Sequence, residues 1–169
     1  MKKITLLFVF IGMITLQSCT VKEVRDEYDN DTISQVFEYS NVNLTNSNNY
    51  SRVLTFPFAI YTSDMVLVYR LTSSGGTDVW KLMPETYYFN DGTLDFGYDF
   101  DFTKFDAEVS MFGYDLPALN AGFRLNQVFR VVVIPAGFNG KSAAVDFKDY
   151  EAVAKKYQLD KANIIKIQE

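Results

Sequence analysis

The chain has 169 residues, enough for one domain, with a formal net charge of -5, one cysteine and no histidine. The missing histidine excludes Ser-His-Asp and Cys-His catalysis, histidine metal sites and a histidine pH switch, and the single cysteine excludes an internal disulfide and a cysteine metal cluster. An acidic chain is a poor ligand for nucleic acid, whose phosphates need clustered Lys and Arg, and an aromatic content of 16% favours strands and a packed core over disorder.

Lys2 and Lys3 make a positive start, and residues 4–16 are an uncharged apolar run. That run is too short to span a bilayer comfortably, and no stop-transfer pattern follows it. Leu16-Gln17-Ser18-Cys19 then reads as a small-residue cleavage site that ends in a thiol. A secretory leader needs small residues before the cut; a lipoprotein leader also needs the thiol directly after it, because the thiolate takes a diacylglycerol group. Residues 1–18 are therefore expected to be a lipoprotein signal peptide, and Cys19 the lipidation site. Each buried acyl methylene contributes roughly 0.8 kcal/mol, so two or three chains anchor firmly. Cleavage would remove Lys2 and Lys3 and take the net charge from -5 to -7. The lipid, not a basic patch, would then supply the membrane affinity.

Residues 19–34 read as a charged flexible tether, with Lys22, Glu23, Arg25, Asp26, Glu27, Asp29 and Asp31 and no clear apolar period. From Gln35 to residue 169 strand follows strand. Phe37 and Tyr39 alternate with Glu38 and Ser40, and Asn46-Ser47-Asn48-Asn49 is a turn cluster. Residues 52–58 and 65–72 are β-rich, with Ser73-Ser74-Gly75-Gly76 as the next turn. Residues 79–82 end before Pro84, residues 86–89 follow, and Asn90-Asp91-Gly92 is a hairpin signal.

In the next segment Leu94, Phe96, Tyr98, Phe100 and Phe102 occupy every second position, with Asp95, Gly97, Asp99 and Asp101 between them. A period of two puts the aromatics on one strand face and the acids on the other. The phase then shifts to Phe105, Ala107, Val109 and Met111, which a turn or a bulge at Thr103-Lys104 would produce, a hairpin being the preferred reading. Residues 127–134 are the best core strand, stopped by Pro135, and residues 142–147 read as a strand edge. Tyr150, Val153, Ala154 and Tyr157 share one helical face, with Lys155 and Lys156 late in the run where cations suit the dipole. Asp146 or Lys148-Asp149 would start that helix, and residues 163–167 read as a last strand. The expected fold is an all-β, antiparallel β-sandwich, immunoglobulin-like or jelly-roll-like, with a short C-terminal α-helix.

Several runs of the middle of the chain have a familiar wording: Val66-Leu67-Val68-Tyr69-Arg70, Val79-Trp80-Lys81-Leu82-Met83-Pro84, Thr86-Tyr87-Tyr88-Phe89, Leu94-Asp95-Phe96 through Phe102, and Asn126-Gln127-Val128-Phe129-Arg130-Val131-Val132-Val133-Ile134-Pro135. With the lipobox, they make the chain resemble a group of small uncharacterised lipoproteins of Bacteroidota, flavobacteria above all. The resemblance implies a bacterial cell envelope location, lipid-anchored in the outer membrane, and brings no catalytic residue. Asp31-Thr32-Ile33 is similar to the Asp-Ser/Thr-aliphatic pattern that such bacteria O-glycosylate, which makes Thr32 a candidate glycan site. The acids after Cys19 look like the charged signals that send these lipoproteins to the cell surface, although those signals begin closer to the cysteine than Glu23. Surface and periplasmic placement both stay open.

Without histidine, chemistry would rest on carboxylates, tyrosines or lysines. Glu85, Asp91, Asp95, Asp99 and Asp101 lie in a stretch with no Lys or Arg between Lys81 and Lys104. Asp95, Asp99 and Asp101 on one strand face are hard oxygen donors for calcium; the plainer reading is a solvated face that keeps an edge from aggregating. Trp80, Tyr87 and Tyr88 are candidates for a sugar-stacking platform, with core packing the favoured reading. Tyr87 and Tyr88 must point to opposite faces of a strand. Arg70 and Arg130, inside apolar strands, are expected to snorkel or to pair with outer-face acids. These readings favour a non-enzymatic envelope or surface module that binds a protein or glycan or has a structural role, with no cofactor. The alternative is a calcium-dependent or carboxylate-based glycan-active protein.

Overall fold

The computed structural model describes residues 33–136, 144–159 and 164–169. Cys19, Thr32 and the leader lie outside the described residues, as does the tether up to Thr32. Two sheets pack face to face. One, sheet A, has the order β4-β3-β8-β1-β9, from β1 (Gln35–Val42), β3 (Met65–Ser74), β4 (Thr77–Leu82), β8 (Gln127–Ile134) and β9 (Ile164–Gln168). The other, sheet B, has the order β2-β7-β6-β5, from β2 (Ser51–Thr55), β5 (Glu85–Tyr88), β6 (Leu94–Phe102) and β7 (Asp106–Gly113). All pairings are antiparallel except β1 with β9, which is parallel. The expected all-β sandwich is the observed architecture, with that parallel edge as the addition.

The pleat sorts the side chains. Phe37, Tyr39, Val68, Phe129 and Val131 of sheet A meet Leu54, Phe96, Tyr98, Ala107 and Val109 of sheet B in the main core. Sheet A is apolar on its other face too, which is why its strands read as unbroken runs. There Val36, Leu67, Tyr69, Val132 and Ile134 are roofed by Tyr150 and Val153 of helix α2 (Tyr150–Lys156) and by Tyr157, which caps its C-terminus. The roofing face is the one the 3.6-residue period predicts. Asp149 caps α2, accepting from the Ala152 amide at 3.0 Å.

Turn chemistry places the strands in register. Gly75 and Gly76 both have positive φ, +58° and +79°, as a two-residue hairpin turn between β3 and β4 requires. The predicted hairpin at Thr103-Lys104 joins β6 to β7, closed by the Thr103 amide on the Asp106 carbonyl at 2.9 Å. Phe96 and Tyr98 are buried as the alternation requires and Phe100 is half-buried, whereas Leu94 and Phe102, at the two ends of the strand, are exposed. Residues 144–147 form no strand; Val145 and Phe147 pack under α2 from an irregular segment, while residues 142–143 lie outside the described set.

Among the described residues, side-chain ties cross between the layers at three places. The Tyr39 hydroxyl of β1 donates to the Thr55 carbonyl of β2 at 2.7 Å. Arg52 of β2 pairs with Glu169 beyond β9. Arg70 of β3 reaches Glu85 of β5 at 2.9 Å, just past the cis Met83-Pro84 bond through which the chain passes from β4 of sheet A to β5 of sheet B.

Candidate functional site: a polar cleft at the end of the sandwich

β3 is a ten-residue strand, and β5, which faces it, has only four residues. Past Arg70 the inner face of the β3–β4 hairpin therefore runs on beyond sheet B. The short helix α1 (Ala121–Arg124) and the residues after it stand opposite, and between them lies a cleft of about 720 Å³. Tyr87 is the one residue that sheet B contributes to its lining.

Arg70 closes the inner end of the cleft. It is 3% exposed, and burial, the largest single effect, works against its charge, but the hydrogen bonds to Glu85 and the electrostatic influence of Tyr98, Glu85 and Tyr87 together raise its pKa. Nε donates to Glu85 Oε1 at 2.9 Å and Nη2 to Oε2 at 3.0 Å, a bidentate pair. Nη2 also donates to the Tyr87 hydroxyl at 2.8 Å, and Nη1 to Gln127 Oε1 at 3.2 Å. The Tyr87 hydroxyl in turn donates a hydrogen bond to Glu85 Oε2 at 2.8 Å. The guanidinium lies 4.2 Å from the centroid of the Tyr98 ring. Lys81, half-exposed, sits 4.0 Å from Glu85 Oε2.

The opposite wall is fastened down. The Tyr98 hydroxyl donates to the Phe123 carbonyl at 2.6 Å, and Gln127 Nε2 to the carbonyls of Gly122 and Leu125 at 2.9 and 2.8 Å. The Leu44 amide holds the Arg124 carbonyl at 2.8 Å. Phe123 packs on Phe96, centroids 5.0 Å apart, and stays 36% exposed on the cleft.

Burial, then the hydrogen bond to Glu85, pushes the Tyr87 hydroxyl up to about 12 from its ordinary 10.0. Between these values the folded chain keeps that proton while the unfolded chain releases it. Stability is expected to fall as pH rises from about 10 to about 12, because the unfolded state then binds fewer protons. Urea titrations across that window check the sign, and Tyr87→Phe should flatten the slope.

The structure separates several residues that the sequence groups together. Trp80 lies on the outer face of sheet A, against Tyr150 and under Arg130, whose guanidinium is 3.9 Å from the indole centroid. Tyr87 turns inward and stacks on Phe96 at 4.5 Å, and Tyr88 is exposed. The three aromatics form no common platform. Arg130 pairs with Glu38 at 2.8 Å on the outer face, as expected. Arg70 departs from that expectation: it points between the sheets, and its partner Glu85 is buried with it.

Asp95, Asp99 and Asp101 are strung along β6, about 13 Å and about 7 Å apart at the rise of a strand. Asp99 stands opposite Ser110 and Asp101 opposite Glu108, while Asp95 falls at a register shift between β5 and β6. Among the described residues no group of three acidic side chains converges on one point. Asp91 is spent locally: its carboxylate accepts from the Thr93 hydroxyl and amide, which holds its pKa low.

Sequence reasoning missed Arg70, Gln127, Tyr98 and Phe123 as one constellation. A signal was present: a guanidinium inside Val66-Leu67-Val68-Tyr69-Arg70-Leu71 needs a buried acid, and Glu85 stands just after the strand-breaking Pro84. Comparison with models of protein families, with curated proteins and with solved structures finds no match to this chain.

Proposed function

We propose that the chain is a lipoprotein of the bacterial envelope, anchored in the outer membrane through Cys19, whose sandwich acts as a non-enzymatic binding module. The observation that carries this is Leu16-Gln17-Ser18-Cys19, with the only thiol of the chain directly after an apolar run. β1 begins at Gln35, so about 15 residues separate the anchor from the sandwich, roughly 50 Å when fully extended. That reach lets the domain meet a partner away from the bilayer. Binding rather than turnover is supported by how the cleft spends its ionisable groups. Glu85 is tied to Arg70 and Tyr87, and the tyrosine hydroxyl is tied to both. A general acid or base needs a proton free to move.

The test is metabolic labelling with a clickable palmitate analogue, followed by membrane fractionation. The wild-type chain should carry label and sediment with membranes, and Cys19→Ala should lose the label and appear in the soluble fraction. An unlabelled wild type, or a Cys19→Ala chain that still sediments, would sink the proposal. The mass of the same preparation reads out a glycan, which this reading places on Thr32.

A further inference from the structure

We infer that the end of the sandwich from which the chain runs back to Cys19 rests on the bilayer, with its aromatic side chains seated among the lipid headgroups; the inference rests on the lipoprotein reading and adds a second membrane contact to it. Strand register fixes which residues share that end. Gln35 of β1 pairs with Val133 and Met65 of β3 with Ile134, so the starts of β1 and β3 and the finish of β8 lie together. The Phe58 ring packs on Phe37, two residues into β1, with centroids 5.6 Å apart. The Ile60 amide donates to the Lys104 carbonyl at 2.8 Å, which brings the β6–β7 turn to the same place.

At this end Ile33, Phe58, Tyr61, Phe102 and Phe105 are each between 36% and 57% exposed. No charged residue stands between Arg52 and Asp64. Lys104 is exposed among these side chains, 4.8 Å from the Phe105 ring. Rings beside a lysine match the bilayer interface, where aromatics settle among headgroups and an ammonium reaches a phosphate. The nearby acids turn elsewhere. Asp64 accepts from the Tyr61 amide at 3.0 Å and Asp106 from the Thr103 hydroxyl at 2.7 Å, and both are half-buried. Asp101 stands opposite Glu108 on the outer face of sheet B. These acids leave the tip apolar and disfavour an anionic surface, so zwitterionic headgroups fit best.

The path of the chain selects a bilayer over a protein partner. Cys19 is 14 positions before Ile33, so an anchor there holds this end within about 50 Å of the headgroups. Docking is then an event within one assembly, and a patch too small to hold a free chain suffices for an anchored one. β3 runs its ten residues from this end to Ser74 at the cleft. A docked domain therefore opens its cleft outward, about 30 Å from the headgroups.

The experiment places the full lipidated chain in phosphatidylethanolamine–phosphatidylcholine vesicles, with and without lipid brominated near the headgroup end of an acyl chain, a short-range quencher of indole. Trp80, the only tryptophan, packs on the outer face of sheet A and sets the baseline. Phe105→Trp and Tyr61→Trp should each lose about half of the emission they add. Tyr114→Trp, 83% exposed at the opposite end, should be quenched no more than the baseline. Ile33→Ser/Phe102→Ser in the Phe105→Trp chain should restore most of the emission, and added phosphatidylglycerol should reduce the quenching; melting curves show that each variant is folded. Equal quenching at both ends, none above the baseline, or quenching that grows with phosphatidylglycerol would each overturn the inference. So would a concentration-dependent dimer that shields the Phe105→Trp reporter, which would make a second copy the occupant. A chain without palmitate label loses the anchor, and both readings fall. A labelled chain that sediments with the vesicles but is not quenched loses only this one.

Discussion

Replacing Arg70 with methionine is expected to destabilise the sandwich by about 3–5 kcal/mol, measured by urea denaturation at neutral pH. The thioether fills part of the space but leaves Glu85, 8% exposed, with its carboxylate facing the core and only Tyr87 as a short-range donor. Lys81, at 4.0 Å and half-exposed, is too solvated to stand in. The double variant Arg70→Met/Glu85→Gln should recover much of the loss, because an amide is far cheaper to bury than an unpaired charge. If the single and double variants are equally unstable, the Arg70–Glu85 pair is not what joins β3 to β5. A full double-mutant cycle gives the coupling directly.

Gly97→Ala should cost about 1–3 kcal/mol, for a reason unrelated to backbone freedom. A Cβ at this position would lie 2.7 Å from the Glu85 carbonyl oxygen on the neighbouring strand and would run into the ring of Phe112, which lies across the glycine. The ring can be moved; the carbonyl is part of the β5–β6 ladder. Phe112→Ala is therefore expected to rescue only part of the loss. Complete rescue would mean that the ring alone sets the limit, and melting temperatures of the two single variants and the double variant decide it.

Where burial differs between the two faces of an element, the sequence reveals the fold. β6 shows its alternation because one face meets the core and the other meets water, and the phase shift after Phe102 marks the turn into β7. Helix α2 shows its face for the same reason, and Asp149 marks its start. β3 is apolar on both faces, so the pattern does not tell which way Arg70 points, and the whole cleft depends on that direction. The helix α1 has only four residues, one of them a glycine. Its own propensity is too small to announce it, and it exists because Asn120 caps it and because Tyr98, Gln127 and Leu44 hold its carbonyls. The acids of β6 were legible as a solvent-facing row. Their separation along the strand follows from its rise, but the shift at Asp95 arises from pairing with β5 and has no local signature.

The pairing of β1 sets the order of assembly. Its partners are β8, with Glu38 and Arg130 separated by 92 positions, and β9, with Ser40 and Ile167 separated by 127. β6 and β7 pair through a tight local hairpin, as do β3 and β4. Closing such long loops is entropically slow, so the two hairpins can form before β1 finds its neighbours. Until then Phe37 and Tyr39, both fully buried in the finished domain, stay open to other chains. Two unfinished copies would therefore adhere first through this stretch.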